Sequence, residues 1–107
     1  MLGGLKMSDI NLFNELGTVG LSYMDFIKTL SKESNLEEKT HQLSYLSVLT
    51  ALNMIDGLDF HVKELIKLNA TRDEIKSAVL VAMPAIGMQI APVLKQTLDI
   101  YDQNITF

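Results

Sequence analysis

Apolar residues recur along this chain every three to four positions and nowhere alternate with period two over a useful length. That pattern predicts helices and no sheet. The clearest stripe is Met54, Leu58, His61, Leu65 and Leu68, which steps by 4, 3, 4 and 3, with Ile55, Val62 and Ile66 widening it. His61 therefore points inward on a helix expected from Gly57 to Leu68, while Lys63, Glu64 and Lys67 face water. Asn69 follows where that helix would close in the left-handed conformation, for which Asn is the usual substitute for Gly. Thr71 and Glu74 then form a capping box, and Ala70 is placed to staple onto Ile75. The helix so opened, Arg72 to about Met83, turns Ile75, Val79, Ala82 and Met83 inward.

The flanks read in the same way. Residues 1–7, with Gly3 and Gly4, form a lead-in, and Ser8 is placed to cap a first helix carrying Ile10, Phe13 and Leu16. Gly17 and Gly20 predict a break, since glycine is a poor helix-interior residue. A segment from Leu21 to Ser31 follows, with Tyr23, Phe26, Ile27 and Leu30 on one face as packing material. Ser34 with Glu37, or Asn35 with Glu38, offers a capping box for a helix from Leu36 to about Asn53. There Leu43, Leu46, Leu49 and Leu52 are interleaved with Ser44, Ser47, Thr50 and Ala51, small residues that let another helix approach closely. Asp56 is placed to cap the His61 helix. Pro84 and Gly87 predict interruptions, and a last helix from Met88 or Ala91 to Asp102 holds Pro92 in its first turn. Val93, Leu94, Leu98 and Tyr101 form its buried side. The expectation is an all-α, single-domain bundle of five to six helices over residues 8–107.

Composition narrows the functional classes. At 107 residues and 48% hydrophobic, the chain can bury a core, and its richness in Leu, Ile, Val and Met implies apolar surface buried between chains. A net charge of −4, with nine Lys and Arg scattered singly, argues against nucleic-acid binding, which needs a basic face. The sequence contains no cysteine, which excludes disulfides, thiolate metal sites and thiol redox chemistry. The segment MLGGLKMSDI is too short and too polar for a signal peptide. The uncharged run from Ala78 to Leu94 is interrupted by Pro84, Gly87, Gln89 and Pro92, so it reads as core or oligomer interface and not as a membrane span. A cytoplasmic location is expected. No His-x-x-x-His or Glu-x-x-His pair occurs, and the two histidines fall on different helices, so neither a metal nor another cofactor is expected.

Three short pieces occur in order: Lys39-Thr40-His41-Gln42-Leu43, Met54-x-x-Gly57-x-x-x-His61, and Asn69-Ala70-Thr71-x-x-Glu74-Ile75. In that order and spacing they resemble the carboxymuconolactone decarboxylase family, which includes the alkylhydroperoxidase D-like proteins. The resemblance covers about Leu36 to Tyr101. It implies an alkylhydroperoxidase D-like helical fold, assembly as a trimer or hexamer, and a site around His61. Met54 and Gly57 stand where the redox members carry their two cysteines, and Gln42 stands where those members carry a proton-relay glutamate. A peroxidatic disulfide cycle needs a thiolate nucleophile and a resolving thiol, so that activity does not transfer to this chain.

Decarboxylase members of the family also lack the cysteine pair and keep the histidine. The resemblance therefore implies action on, or binding of, a small carboxylated lactone-type molecule. His61 is the candidate catalytic residue, as donor or shuttle of a proton. Gln42, Met54 and Gly57 are the candidate ligand-binding residues, Gly57 because it leaves space over the ring one turn before His61. Backbone amides at Asp56 to Asp59 are placed to receive an anion at a helix N-terminus, against the opposing charge of Asp56 and Asp59. His41 is expected at the surface or at a subunit contact. The alternative is a non-catalytic oligomeric protein that retains the fold, with His61 as a hydrogen-bonded core residue.

Overall fold

The computed structural model describes residues 7–105, and their elements are helical throughout, with no strand among the described residues. They are α1 (Met7–Leu16), α2 (Thr18–Glu33), α3 (Glu38–Ala51), α4 (Leu58–Lys67), α5 (Arg72–Leu80), α6 (Met83–Ile86) and α7 (Ala91–Asn104), with a 3-10 turn at Gly87–Ile90. The all-α expectation holds. The single turn of α6 adds one segment to the predicted set. The expected lead-in at 1–7 lies outside the described residues apart from Met7, which is already helical, and the side chain of Ser8, expected as a cap, lies outside them as well.

The core is a four-helix unit in which α3 packs on α4 and α5, and α7 packs on the same two helices. Each helix contributes three buried side chains: Leu46, Leu49 and Thr50 from α3; Leu58, Val62 and Leu65 from α4, alongside His61; Ile75, Ala78 and Val79 from α5; Val93, Thr97 and Ile100 from α7. Ala70, Ala82 and Ile90 fill the joints between them. Met83, expected inside, is 40% exposed, because α5 stops at Leu80 and the chain turns before Pro84.

Asparagine closes two of these helices by one device. Asn53 and Asn69 have φ of 54° and 63°. Behind them Met54 N–H donates to the Leu49 carbonyl at 2.9 Å, and Ala70 N–H to the Leu65 carbonyl at 3.0 Å. With Asn53 N–H on Thr50 and Asn69 N–H on Ile66, both ends are Schellman motifs. Thr71 then opens α5 through a complete capping box: Glu74 N–H donates to Thr71 Oγ1 at 3.1 Å, and Thr71 N–H donates to Glu74 Oε1 at 2.8 Å. That backbone donor, seconded by Lys39, holds the Glu74 carboxyl below its ordinary range.

The other two expected caps differ. Glu37 occupies the N-cap of α3 and Gly57 that of α4, neither with a side-chain cap hydrogen bond. Ser34 instead accepts from Leu36 N–H at 3.2 Å, so the chain turns there before the helix begins. The small residues of α3 do allow close approach. At the end of α5, Ala82 N–H turns to the Val79 carbonyl, and Ser47 Oγ donates to the Ala78 carbonyl across the helix pair at 2.7 Å.

Arg72–Asn104 is apolar enough by composition to cross a membrane, with a mean hydropathy of 1.8 in its most apolar window. It is not one rod. The turn at 81–82 and Gly87, at φ 62°, divide it into helices of 9, 4 and 14 residues, each short of the ~20 residues that span a bilayer.

The N-terminal arm has a different environment. Gly17, at φ 56°, separates α1 from α2 as its sequence predicts. Gly20 does not break the helix. It is buried inside α2, where a Cβ would stand 3.0 Å from the Phe13 carbonyl oxygen, so it sets how closely the two helices cross. Phe13, Tyr23 and Phe26 form a row of rings with centroids 6.3 and 6.4 Å apart. Tyr23, Phe26 and Leu30 are nevertheless more than half exposed, so the face expected as packing material is not covered by the described residues of one chain.

Candidate functional site

His61 sits in the second turn of α4 and is only 5% exposed. Three helical turns supply its surroundings. Gln42 and Tyr45 lie three apart on α3 and so share a face. The Gln42 Oε1 accepts a hydrogen bond from His61 Nδ1 at 3.2 Å. The Tyr45 ring lies 4.7 Å from the imidazole, and Phe60 presents an edge at 5.2 Å. Gly57 stands over the other edge, where an added Cβ would fall 3.4 Å from Cδ2 and 3.9 Å from Nε2. The structure thus brings His61, Gln42 and Gly57 together. Met54 is half exposed and serves as the residue after Asn53 in the Schellman closure of α3.

Burial has an electrostatic consequence. Removal from water disfavours the imidazolium, and Glu64 only partly offsets this, so the His61 pKa falls to about 4. At neutral pH the ring is uncharged. With Nδ1–H directed at Gln42, Nε2 keeps its lone pair and is an acceptor. His61 in this setting has no imidazolium proton to donate.

A cleft of about 680 Å³ opens between α2, α3 and the start of α4, within the range of small-molecule sites. It is lined by the apolar side chains of Met24, Ile27, Leu36 and Phe60 and by the polar ones of Lys28, Ser31, Lys32, Glu38, His41 and Gln42. The His61 ring is not part of the wall. It reaches the cleft through Gln42 and Phe60, which both touch the ring and line the space. Of the first turn of α4, Phe60 is the residue in the wall, so the cleft does not open on the amides at Asp56–Asp59. His41, expected at the surface or a subunit contact, is half-buried in the same wall as Gln42, its Nδ1 3.3 Å from Ser34 Oγ. No group of three His, Asp or Glu side chains is placed to hold a metal ion among the described residues.

The sequence reading missed Tyr45, Phe60, Lys28 and Lys32. Tyr45 was accessible from its spacing to Gln42. The lysines are exposed residues of α2, and only the placement of α2 beside α3 makes them cleft residues.

The class this defines is an all-α helical protein without cysteine that buries a histidine against a glutamine. The family profile described as the carboxymuconolactone decarboxylase family matches residues 19–96, and the chain belongs to that family. No curated protein and no solved structure matches it.

Proposed function

We propose that this protein is a non-redox carboxymuconolactone decarboxylase-like protein that binds a small carboxylated lactone-type molecule in the cleft beside His61. The observation that carries this reading is Gln42, which bonds His61 Nδ1 at 3.2 Å and also lines a cleft of about 680 Å³. Because its Oε1 is occupied by the imidazole, its amide N–H groups are left for a ligand oxygen. His61 acts through Gln42: it fixes the amide's orientation and stays neutral. If carboxylate loss follows, the carbon that inherits the electron pair needs a proton from a group in the cleft wall.

Membership of the family supports assembly as a trimer or hexamer, and the exposed apolar residues of the arm support it independently. Leu12, Val19, Leu21, Tyr23, Phe26 and Leu30 are each 52–69% exposed, a patch of the kind that protein contacts cover. The burial of His61 favours a second reading, a non-catalytic oligomer that retains the fold.

The test uses 5-oxo-2,5-dihydrofuran-2-carboxylic acid, a simple unsaturated carboxylated lactone whose conjugated ring carbonyl takes up the electron pair when carboxylate is lost, with binding followed by NMR and carbon dioxide release by mass spectrometry. Under the ligand reading, Gln42→Leu and His61→Leu each weaken binding about tenfold while oligomer and melting temperature are retained. Absence of binding at millimolar acid, with His61→Leu folding as well as the parent, would establish the scaffold reading instead.

A further inference from the structure

Lys28, Lys32 and His41 all line the cleft beside Gln42. Lys28 and Lys32 are four apart on α2 and both line the cleft, as one helix face requires. Of the eight Lys and Arg within the described residues, five are ion-paired: Lys39, Lys63, Lys67, Arg72 and Lys95. Lys28 and Lys32 hold no ion pair among the described residues, although Glu38 lines the same space. Two neighbouring ammonium groups without carboxylate partners repel one another, and an anionic ligand relieves that repulsion.

The hydroxyl, imidazole and amide groups point the same way. Ser34 Oγ already accepts from Leu36 N–H and lies 3.3 Å from His41 Nδ1. In the tautomer in which Ser34 Oγ–H donates to Nδ1, His41 carries its own proton on Nε2 and offers it as a donor. Gln42 contributes its amide N–H groups. The polar lining therefore offers two ammonium groups, an imidazole and an amide, against one carboxylate, Glu38. Met24, Ile27, Leu36 and Phe60, which line the same cleft, suit an apolar ring.

We propose that Lys28, Lys32 and His41 form the carboxylate-binding end of this cleft, with the body of the ligand lying against Met24, Ile27 and Phe60. His41, not His61, is then the histidine that touches the ligand. The proposal rests on the small-carboxylate reading above and adds the polarity of the site to it.

The test compares three probes by NMR titration of the full chain: the carboxylated lactone, its methyl ester, and benzoate, which has a carboxylate on an apolar ring but no lactone. The Lys28→Gln/Lys32→Gln double variant should weaken the acid tenfold or more, to the level of the ester, and leave the ester unchanged. Gln42→Leu should weaken acid and ester alike. His41→Leu should weaken the acid several-fold, and His41→Gln, which keeps a donor, should restore most of that loss. The substituted lysines are exposed, so an unchanged melting curve certifies the fold.

Acid binding that survives the double lysine variant overturns the anion end and leaves the lactone reading standing. Binding of benzoate but not of the lactone acid, with the same lysine dependence, overturns the lactone reading and supports the anion end. Binding of neither acid overturns both.

Discussion

Helices α2 and α4 are both amphipathic, yet Leu58, Val62 and Leu65 of α4 are fully buried while Tyr23, Phe26 and Leu30 of α2 stand 53%, 59% and 52% exposed. The periodicity of apolar residues is alike in the two helices, so periodicity is not what separates them. Helix α4 is held at both ends by chain that folds back: Gly57 and the α3 Schellman turn before it, and Asn69 with the Thr71 capping box after it. Helix α2 is anchored at its start, where Gly20 lets it meet α1 closely, and then projects past the core. An apolar stripe is a demand for a partner, and whether one chain meets it depends on where the turns send the helix.

Removing one core side chain should separate the regions most sharply. Leu65→Ala deletes a fully buried group shared by α4 and its neighbours and should cost about 3 kcal/mol, read as a drop in the urea midpoint.

His61 provides the next test, through pH. Its folded pKa of about 4 lies below the unfolded value of 6.5, so between those limits the unfolded chain binds a proton that the buried ring refuses. Stability then rises with pH. The contribution is fully present above pH 6.5 and is lost as pH falls toward 4, by about 2–3 kcal/mol at pH 4.5. Urea unfolding at pH 7 and 4.5 should show this loss, and His61→Leu should remove most of it. An equally steep pH dependence in that variant would count against burial of the neutral ring.

Thr71→Ala breaks the capping box that starts α5 and should cost about 1 kcal/mol, with hydrogen-exchange protection falling in the first turn of α5. Thr97, fully buried on α7, has an Oγ1 without a hydrogen-bond partner among the described residues. Thr97→Val should therefore leave the melting temperature unchanged or raise it slightly, since it removes an unsatisfied hydroxyl.

The smallest effect is expected in the arm. Phe26→Ala should change the unfolding free energy by less than about 0.5 kcal/mol at sub-micromolar protein. If the arm packs on a second copy, the same variant should become destabilising as concentration rises, measured by light scattering beside thermal melts. A large effect at every concentration would place Phe26 in the intrachain core.

The comparison also bears on the site. Gln42 and His61 belong to the well-held unit, and their contact follows from α3 packing on α4. Lys28 and Lys32 belong to the arm, so the cleft joins a wall from the core unit to one from the arm. This is why His61 was legible from the stripe of α4 while the cleft was not. A stripe gives one helix's inward direction, but a cavity needs the relative placement of three helices.

Local chemistry decided what depends on residues a few positions apart. The all-α class, the Asn69 closure, the Thr71–Glu74 box, the break at Gly17 and the place of Pro92 are all set by backbone geometry and hydrogen bonds within a turn or two. The absence of cysteine alone closed thiol chemistry. Tertiary structure decided what depends on distance in three dimensions: that His61 is dry enough to stay neutral, that Gln42 stands between it and the cleft, that His41 faces the cleft with Gln42, and that the aromatic arm is left uncovered. Burial and pKa depend on what other helices bring alongside a side chain, and no spacing within one helix encodes that.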